Sequence, residues 1–298
     1  MILDTKVPFA YIFRKIRKDL LFILAVGLVF NYLTALFSAH LPEMPLGVAT
    51  FLGTAISVLL SFKMSQSYDR WWEARKVWGA IVNDSRTFVM QLQGFLCEQL
   101  NDTIRVMAYR QIAWCYVLGR SLRGQNPLEK MEAYLGAEDL EALSSHDNKA
   151  LALLQQNVKE LRRLREQNEI DNITHLQIDS TLVRLCDAMG KAERIKSTAF
   201  PVTYRLFLHF AIYLFVIVLS IALRNIEAIF EIPLLILISG VFLLLEKTAY
   251  HLQDPYRNRP SDTPVTAIAT TIEINLRQLM GEKDVPKPAP VGSSFYVL

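Results

Sequence analysis

The sequence is poor in the patterns on which disulfide scaffolds, metal sites and nucleotide sites depend. It has only three cysteines, an odd number with no paired spacing. None of its five histidines lies in an HExxH or comparable motif, and no glycine-rich phosphate-binding loop occurs. We therefore expect no metal ion or other cofactor and no enzymatic activity. The cysteines are expected to be reduced thiols packed as small hydrophobic residues.

A large excess of charge of one sign is also missing. The 32 basic and 29 acidic residues leave a net charge of +3, which gives no reason to expect nucleic acid as a partner. Hydrophobic residues make up 52% of the chain and charged residues 20%. Such a mixture indicates a chain with both membrane-embedded and aqueous parts, and therefore a lipid bilayer as one partner.

Four apolar blocks bracket a long charged stretch. The blocks are residues 20–38, 51–62, 206–223 and 233–245. A transmembrane helix needs about 20 apolar residues, so the second block must be extended back to Leu46 and the fourth to Ala228. We predict an all-α fold with four transmembrane helices and a large helical insert between the second and the third.

The basic residues predict the orientation. Lys6, Arg14, Lys15, Arg17 and Lys18 precede the first block. Arg224 is the only lysine or arginine in the predicted external loops, 39–45 and 224–231. Because excess Lys and Arg stay on the cytoplasmic side, we expect both termini and the insert in the cytoplasm, and the protein in the inner (plasma) membrane. A cleavable signal peptide is the alternative, but the first block exceeds the usual stretch of about 7 to 15 apolar residues.

The charged stretch also shows helical periodicity. Val77, Ile81, Phe88 and Leu92 keep one face apolar, so the second span can continue into the insert as one helix. Asp102 is predicted to cap a further helix that the turn residues 124–127 end, and two more helices are predicted at 172–198 and 266–280. The predicted domains are 1–62 with the first two spans, 63–204 as the cytosolic insert, 205–249 with the last two spans, and 250–298 as a cytosolic helix and tail.

A stripe of side chains runs along the second span. Thr54, Val58 and Phe62 are four residues apart and Phe51 lies three before Thr54, which places them on one side of a helix. Such a stripe can be a packing face against a neighbouring helix. Alternatively, several copies of the helix surround an axis and the side chains form stacked apolar rings, the kind of constriction that gates channels by dewetting.

A series of motifs carries a family resemblance. They are Arg70-Trp71-Trp72-Glu73-Ala74-Arg75, Trp78-Gly79, Asn83-Asp84-Ser85-Arg86, Glu193-Arg194-Ile195, Pro201-Val202-Thr203-Tyr204, and Glu246 ahead of Asp254-Pro255. In this order, and within this arrangement of spans and insert, the chain resembles the short bacterial branch of the bestrophin family over nearly its whole length.

The resemblance implies a homopentameric ion channel for small inorganic ions, with the second-span helices lining a narrow neck. Counting back from Arg70, the neck positions of the family fall on Thr54, Val58 and Phe62. Thr54 departs from the bulky apolar residues of the family. A cytosolic aperture is implied at Ile173, with Asn172 beside it. The alternative for Ile173 is a core position in a cytosolic helix.

Gating and selectivity are the remaining expectations. The segment 257–262 offers one carboxylate and two arginines, too few hard oxygen ligands for Ca²⁺, so we expect no Ca²⁺ activation. Family membership favours anions such as chloride, and a cation (sodium) channel of the same architecture is the alternative. Lys63 follows the neck but lies about 100° from Phe62, so it is expected to point to a neighbouring helix or an interface. A membrane-anchored scaffold or sensor and a secondary transporter are the other functional alternatives.

Overall fold

The computed structural model describes residues 8–37, 44–198, 201–288 and 296–297. The described residues form nine α-helices and two short 3-10 turns, which confirms the predicted all-α fold. The helices are α1 Phe9–Leu36, α2 Leu46–Phe95, α3 Asn101–Arg123, α4 Ala137–Ser144, α5 Lys149–Glu166, α6 Asn172–Ser197, α7 Val202–Ala222, α8 Ala228–Leu252 and α9 Val265–Leu279. Most of the predicted loop 39–45 lies outside the described residues.

The chain divides into two compact units. We call Thr5–Arg70 with Ala199–Asp254 the apolar unit, and Trp71–Thr198 with Pro255–Leu298 the insert unit. The helix α2 has 50 residues and contributes to both units. Its continuity confirms that the second span extends into the insert without a break.

Within the described residues, four helices are long and apolar enough to cross a membrane, as predicted. They are α1, α2, α7 and α8. The second of them begins at Leu46 and the fourth at Ala228. These are the extensions that the length of a membrane span required. In the apolar unit α1 packs against α7 and α8, and α7 packs against α8. Buried branched side chains such as Ile23, Ile212 and Leu235 fill the contacts.

A buried carboxylate joins three helices of the apolar unit. Glu231 of α8 is fully buried and accepts hydrogen bonds from Asn31 Nδ2 of α1 at 2.7 Å and from the Ser220 hydroxyl of α7 at 3.1 Å. Since a buried charge is costly unless it is hydrogen-bonded, these two donors make the position of Glu231 tolerable.

The insert unit is built around α3. This helix packs against α5, α6 and α9, and it buries Met107 and Trp114 completely. Gly119 permits a close approach of α9, because a Cβ atom at this position would lie 2.5 Å from Cγ1 of Val265. The predicted apolar face of α2 is confirmed, since Val77, Ile81, Phe88 and Leu92 are all buried here.

A polar cluster fastens α9 to the rest of the insert unit. Glu273 accepts hydrogen bonds from the hydroxyls of Tyr116 at 2.7 Å and Tyr134 at 2.9 Å, and Arg277 Nη1 lies 3.3 Å from its other oxygen. Burial is the main reason why the pKa of Tyr134 is raised to about 12, and the adjacent Glu273 carboxylate raises it further. Burial also raises the pKa of Tyr116, so both tyrosines stay protonated donors at neutral pH.

Two predictions for the insert are wrong. Asp102 does not cap α3, because the 3-10 turn Glu98–Leu100 leads directly into the helix, which begins at Asn101 without a side-chain cap. Asp102 lies in the first turn instead, where its charge still complements the helix dipole. Of the cysteines only Cys115 is buried, whereas Cys97 and Cys186 are exposed. The left-handed Gly124 ends α3, and α6 and α9 occur where the sequence predicts them.

Candidate functional site

The stripe on α2 is exposed in the single chain. Phe51, Val58 and Phe62 are 72%, 51% and 63% exposed, and Thr54 is exposed as well. Half a helical turn away, Ile56 and Leu60 are 1% and 3% exposed. The stripe therefore does not pack against the described part of its own chain, which argues against the first of the two interpretations made from the sequence. In a membrane-spanning helix such a face meets either lipid or further copies of the chain.

The hydroxyl of Thr54 is satisfied within its own helix. It donates to the carbonyl oxygen of Thr50 at 2.9 Å, and Thr50 in turn donates to the carbonyl oxygen of Leu46 at 3.0 Å. This i−4 bond is a common way for threonine to sit inside a helix. Because its donor is occupied, Thr54 is less polar on this surface than its hydroxyl suggests.

The opposite side of α2 is held by contacts inside the apolar unit. Gly53 lies against the ring of Phe215 of α7, so that a Cβ atom there would be 3.2 Å from the ring. The Tyr204 hydroxyl, also on α7, donates to the carbonyl oxygen of Leu59 at 2.8 Å. These contacts fix the rotation of α2 and thereby the direction in which the stripe points.

A buried ion pair completes this attachment. Lys63 Nζ lies 2.7 Å from Glu246 Oε1 of α8, and the two side chains are 0% and 2% exposed. Lys63 thus points away from the stripe and to a neighbouring helix, as its angular position predicts. His209 of α7 lies with Nε2 3.5 Å from Glu246 Oε2, while its Nδ1 lies 3.0 Å from the carbonyl oxygen of Arg205. One carboxylate therefore connects α2, α7 and α8.

Sequence reasoning missed the partner of Lys63. A signal for it was available, because Lys63 and Glu246 each follow an apolar block directly and carry opposite charges. Charges at the ends of membrane-spanning segments are expensive to bury and tend to pair with one another.

Ile173 and Asn172 lie at the start of α6 in the insert unit. Ile173 is 79% exposed and Asn172 is exposed, so the alternative of a core position for Ile173 is wrong. The Asp171 side chain caps the helix by accepting a hydrogen bond from the backbone N–H of Thr174 at 2.7 Å. This backbone hydrogen bond is the main reason why the pKa of Asp171 is lowered. The cap fixes the first turn and with it the position of the exposed isoleucine.

The only carboxylate of the loop 257–262 is already engaged. Asp262 is buried, and its Oδ2 accepts hydrogen bonds from the backbone N–H groups of Arg257 at 2.8 Å and Arg259 at 3.0 Å. Nearby, the Trp71 indole N–H donates to the carbonyl oxygen of Ser261 at 3.0 Å. Among the described residues, no three His, Cys, Asp or Glu side chains come together as a metal site.

Comparisons with known proteins agree with the family resemblance. Residues 7–278 match the family described as Bacterial/Fungal Bestrophin protein. The chain is 32% identical to the voltage-dependent anion channel-forming protein YneE of Escherichia coli K12, over 80% of this chain and 77% of that protein. It is 26% identical to the similarly named mll4386 of Mesorhizobium japonicum, over 85% and 82% of the two chains. The crystal structure of a bacterial bestrophin homologue from Klebsiella pneumoniae superposes with a TM-score of 0.85 at 28% identity and covers 90% of this chain and all of that one. The chain belongs to the bacterial and fungal bestrophin family.

Proposed function

We propose that the protein is a membrane channel for small anions, formed by five copies of the chain around a central axis. The observation that carries the proposal is the apolar stripe on α2, which is exposed while the opposite face of the same helix is fixed by buried contacts. If five α2 helices surround the axis, Thr54, Val58 and Phe62 form three stacked rings in the neck. Narrow apolar rings of this kind control ion flow by drying and wetting.

The relatives support the choice of ion. Several are named anion channel-forming proteins, and one of these is 32% identical to this chain. The rings themselves carry no charge, and Lys63 is paired with Glu246 rather than facing the stripe. Selectivity for anions therefore rests on the relatives, and the cation channel is the competing outcome of the test.

A second constriction is proposed at the start of α6. Ile173 is the most exposed large hydrophobic residue of the described chain, at 79%, and Asn172 beside it is polar and exposed. In a ring of five copies Ile173 would form a single apolar collar on the cytosolic side. The capped first turn of α6 would hold this collar in place.

The proposal also covers the membrane, the orientation of the chain and the response to Ca²⁺. We place it in the plasma membrane with both termini in the cytoplasm, because the basic residues Arg14, Lys15, Arg17 and Lys18 lie near the start of α1. Ca²⁺ does not activate it, because both oxygens of Asp262 are engaged within their own loop, Oδ2 by two backbone N–H groups and Oδ1 by the Ser261 hydroxyl.

Reversal potentials test the ion selectivity. The purified protein is reconstituted in planar bilayers with a gradient of NaCl, and the potential at zero current is compared with the Nernst potentials of chloride and sodium. A value close to that of chloride supports the proposal, and a value close to that of sodium overturns the anion assignment. The same recordings, made with and without micromolar Ca²⁺, test the absence of Ca²⁺ activation. No flux from a correctly folded protein would favour the scaffold or sensor instead.

A further inference from the structure

A cleft in the insert unit has basic side chains with unused hydrogen-bond donors. It has a volume of about 440 Å³ and lies between the end of α3, the start of α9 and the loop that precedes α9. The charged residues that line it are Arg120, Arg123 and Glu129. None of the contacts proposed for the channel involves this cleft.

The two arginines are incompletely paired. Arg123 Nη1 donates to the Thr266 hydroxyl at 2.6 Å, but its Nε and Nη2 atoms are buried and have no hydrogen-bond partner among the described residues. The Nη1 atom of Arg120 is likewise buried and has no hydrogen-bond partner among the described residues. A buried donor without an acceptor costs free energy, on the order of 1–3 kcal/mol and more for a charged group. An acceptor from a bound ligand would therefore stabilise these N–H groups, since no described residue supplies one.

The start of α9 adds further donors on the same side. Val265 and Thr266 line the cleft. The Val265 N–H already donates to the carbonyl oxygen of Thr263 at 2.8 Å, and no side chain of the described residues caps this 15-residue helix. The first N–H groups of a helix lack partners within the helix, and its dipole places partial positive charge at this end. Because the Thr266 hydroxyl accepts from Arg123, its own hydrogen is available for an acceptor in the cleft.

The carboxylates near the cleft do not cancel this charge. Asp262 attracts Arg123 electrostatically, but its Oδ2 is already held by two backbone N–H groups of its own loop. Glu129 lines the cleft and is exposed to solvent, where its charge is screened. Burial lowers the pKa of Arg123, which agrees with a guanidinium that lacks a full set of partners.

We propose that this cleft binds a phosphate group, with the guanidinium groups of Arg120 and Arg123 and the start of α9 as donors. The planar fork of an arginine matches the oxygens of a phosphate, and a helix start is a common phosphate site. The volume exceeds that of inorganic phosphate and has room for a small organic phosphate. The phosphate comes either from a soluble molecule or from the headgroup of an anionic lipid. This site is additional to the proposed channel activity and does not depend on it.

Calorimetry and thermal unfolding of the full-length protein test the site without any measurement of ion flow. Pyrophosphate is the soluble probe, added to protein in nanodiscs of phosphatidylcholine, with NaCl of equal ionic strength as the salt control. We expect pyrophosphate to bind and to raise the unfolding midpoint by about 3 °C, because a ligand that binds only the folded state stabilises it. Nanodiscs that contain phosphatidic acid, without pyrophosphate, test the lipid headgroup as the source.

Four variants make the test specific. Arg123→Gln and Arg120→Gln should each weaken binding at least about tenfold, since each removes a charged donor. Arg162→Gln, which removes an exposed arginine of α5, should leave binding unchanged. Glu129→Gln should tighten binding by about two- to fivefold, because Glu129 is the only acidic residue of the described chain that lines the cleft. This gain cannot result from misfolding.

The binding results either support or overturn the proposed phosphate site. A response to pyrophosphate or to phosphatidic acid that follows this order of variants supports the site and identifies the source of the phosphate. A response that is the same in wild type, Arg123→Gln and Arg120→Gln overturns it. So does the lack of any response to either probe.

Discussion

At the scale of single residues, the ion pair of Lys63 and Glu246 is the most informative contact. Both side chains are almost completely buried, and the two residues lie on helices that are far apart in the sequence. Removing one partner of a buried pair leaves an uncompensated charge, whereas removing both replaces the pair by apolar packing. The pair therefore helps to fix how α2 is rotated, and Lys63 points away from the exposed stripe although it directly follows Phe62.

Single and double replacements of this pair should differ in how much stability they cost. We expect Glu246→Gln to destabilise the protein by about 3–5 kcal/mol, because Lys63 is left charged in a buried place. The double variant Lys63→Met with Glu246→Leu should recover most of this loss. Thermal unfolding in detergent, followed by tryptophan fluorescence, measures both.

An exposed pair on the same helix serves as the control for this comparison. Lys76 lies 2.5 Å from Glu73, and the two side chains are 57% and 44% exposed. Replacing Lys76 by Met should cost less than about 1 kcal/mol, as is usual for surface pairs. If the double variant of the buried pair were as unstable as Glu246→Gln alone, the unpaired charge would not be the cause.

At the scale of elements, the exposed stripe of α2 is expected to act as a set of rings and not as separate side chains. Replacing Thr54, Val58 and Phe62 together by Ala should raise the single-channel conductance at least about twofold, because the constriction becomes wider and easier to wet. Val58→Ala alone should have the same direction and a smaller effect. Single-channel recordings in planar bilayers measure this change.

A variant on another membrane-spanning helix controls for the loss of apolar surface. Phe210 of α7 is 64% exposed, as much as Phe62, but does not belong to the stripe. Phe210→Ala should leave the conductance unchanged. Equal conductance in wild type and in a well-folded triple variant would show that the stripe faces lipid.

The contact between α3 and α9 depends on Gly119. A Cβ atom at this position would lie 2.5 Å from Cγ1 of Val265 and 3.6 Å from the Trp78 ring, both in the insert unit. An alanine gains up to about 1 kcal/mol of helix propensity over glycine, but overpacking a core costs about 1–3 kcal/mol. We therefore expect Gly119→Ala to lower the midpoint of thermal unfolding.

A second substitution distinguishes a clash from other effects. Val265→Ala removes the atom that the new Cβ would meet, so adding it to Gly119→Ala should recover part of the lost stability. As a matched control, Gly94→Ala changes a glycine of α2 whose Cβ would contact nothing within 4 Å, and it should not destabilise. If the two Gly→Ala variants behaved alike, close packing would not be the reason for glycine at position 119.

At the scale of the whole molecule, the spans were predictable and the contacts between them were not. Uninterrupted apolar blocks fix the four membrane-spanning helices by composition alone, and a spacing of four places Thr54, Val58 and Phe62 on one side of α2. Whether that side is covered depends on residues distant in the sequence. For the same reason a single sequence did not reveal the ion pair of Lys63 or the arginine cleft, which joins α3 to a loop and to α9.

The errors in the sequence analysis have similar causes. Asp102 has the correct residue type for a cap, but a preceding 3-10 turn moves the start of α3 to Asn101. Cysteine is small enough to occur in the core or on the surface. No periodic pattern in the sequence therefore predicts that Cys97 and Cys186 are exposed. For Ile173 the sequence left a core position open as the alternative to an aperture, and only the structure shows that the first turn of α6 is exposed.

The proposed channel predicts the size of the assembly. One chain has a mass of 34.0 kDa, so a closed ring of five would have a protein mass of about 170 kDa. In such a ring the exposed stripe lines a shared axis and no longer lies on the outside of a single chain. Native mass spectrometry of the protein released from mild detergent measures this mass directly. The triple alanine variant of the stripe should give the same mass, since in the ring these side chains face the axis rather than the contacts between neighbours. A particle of one chain would remove the axis that the rings require, and with it the proposed neck.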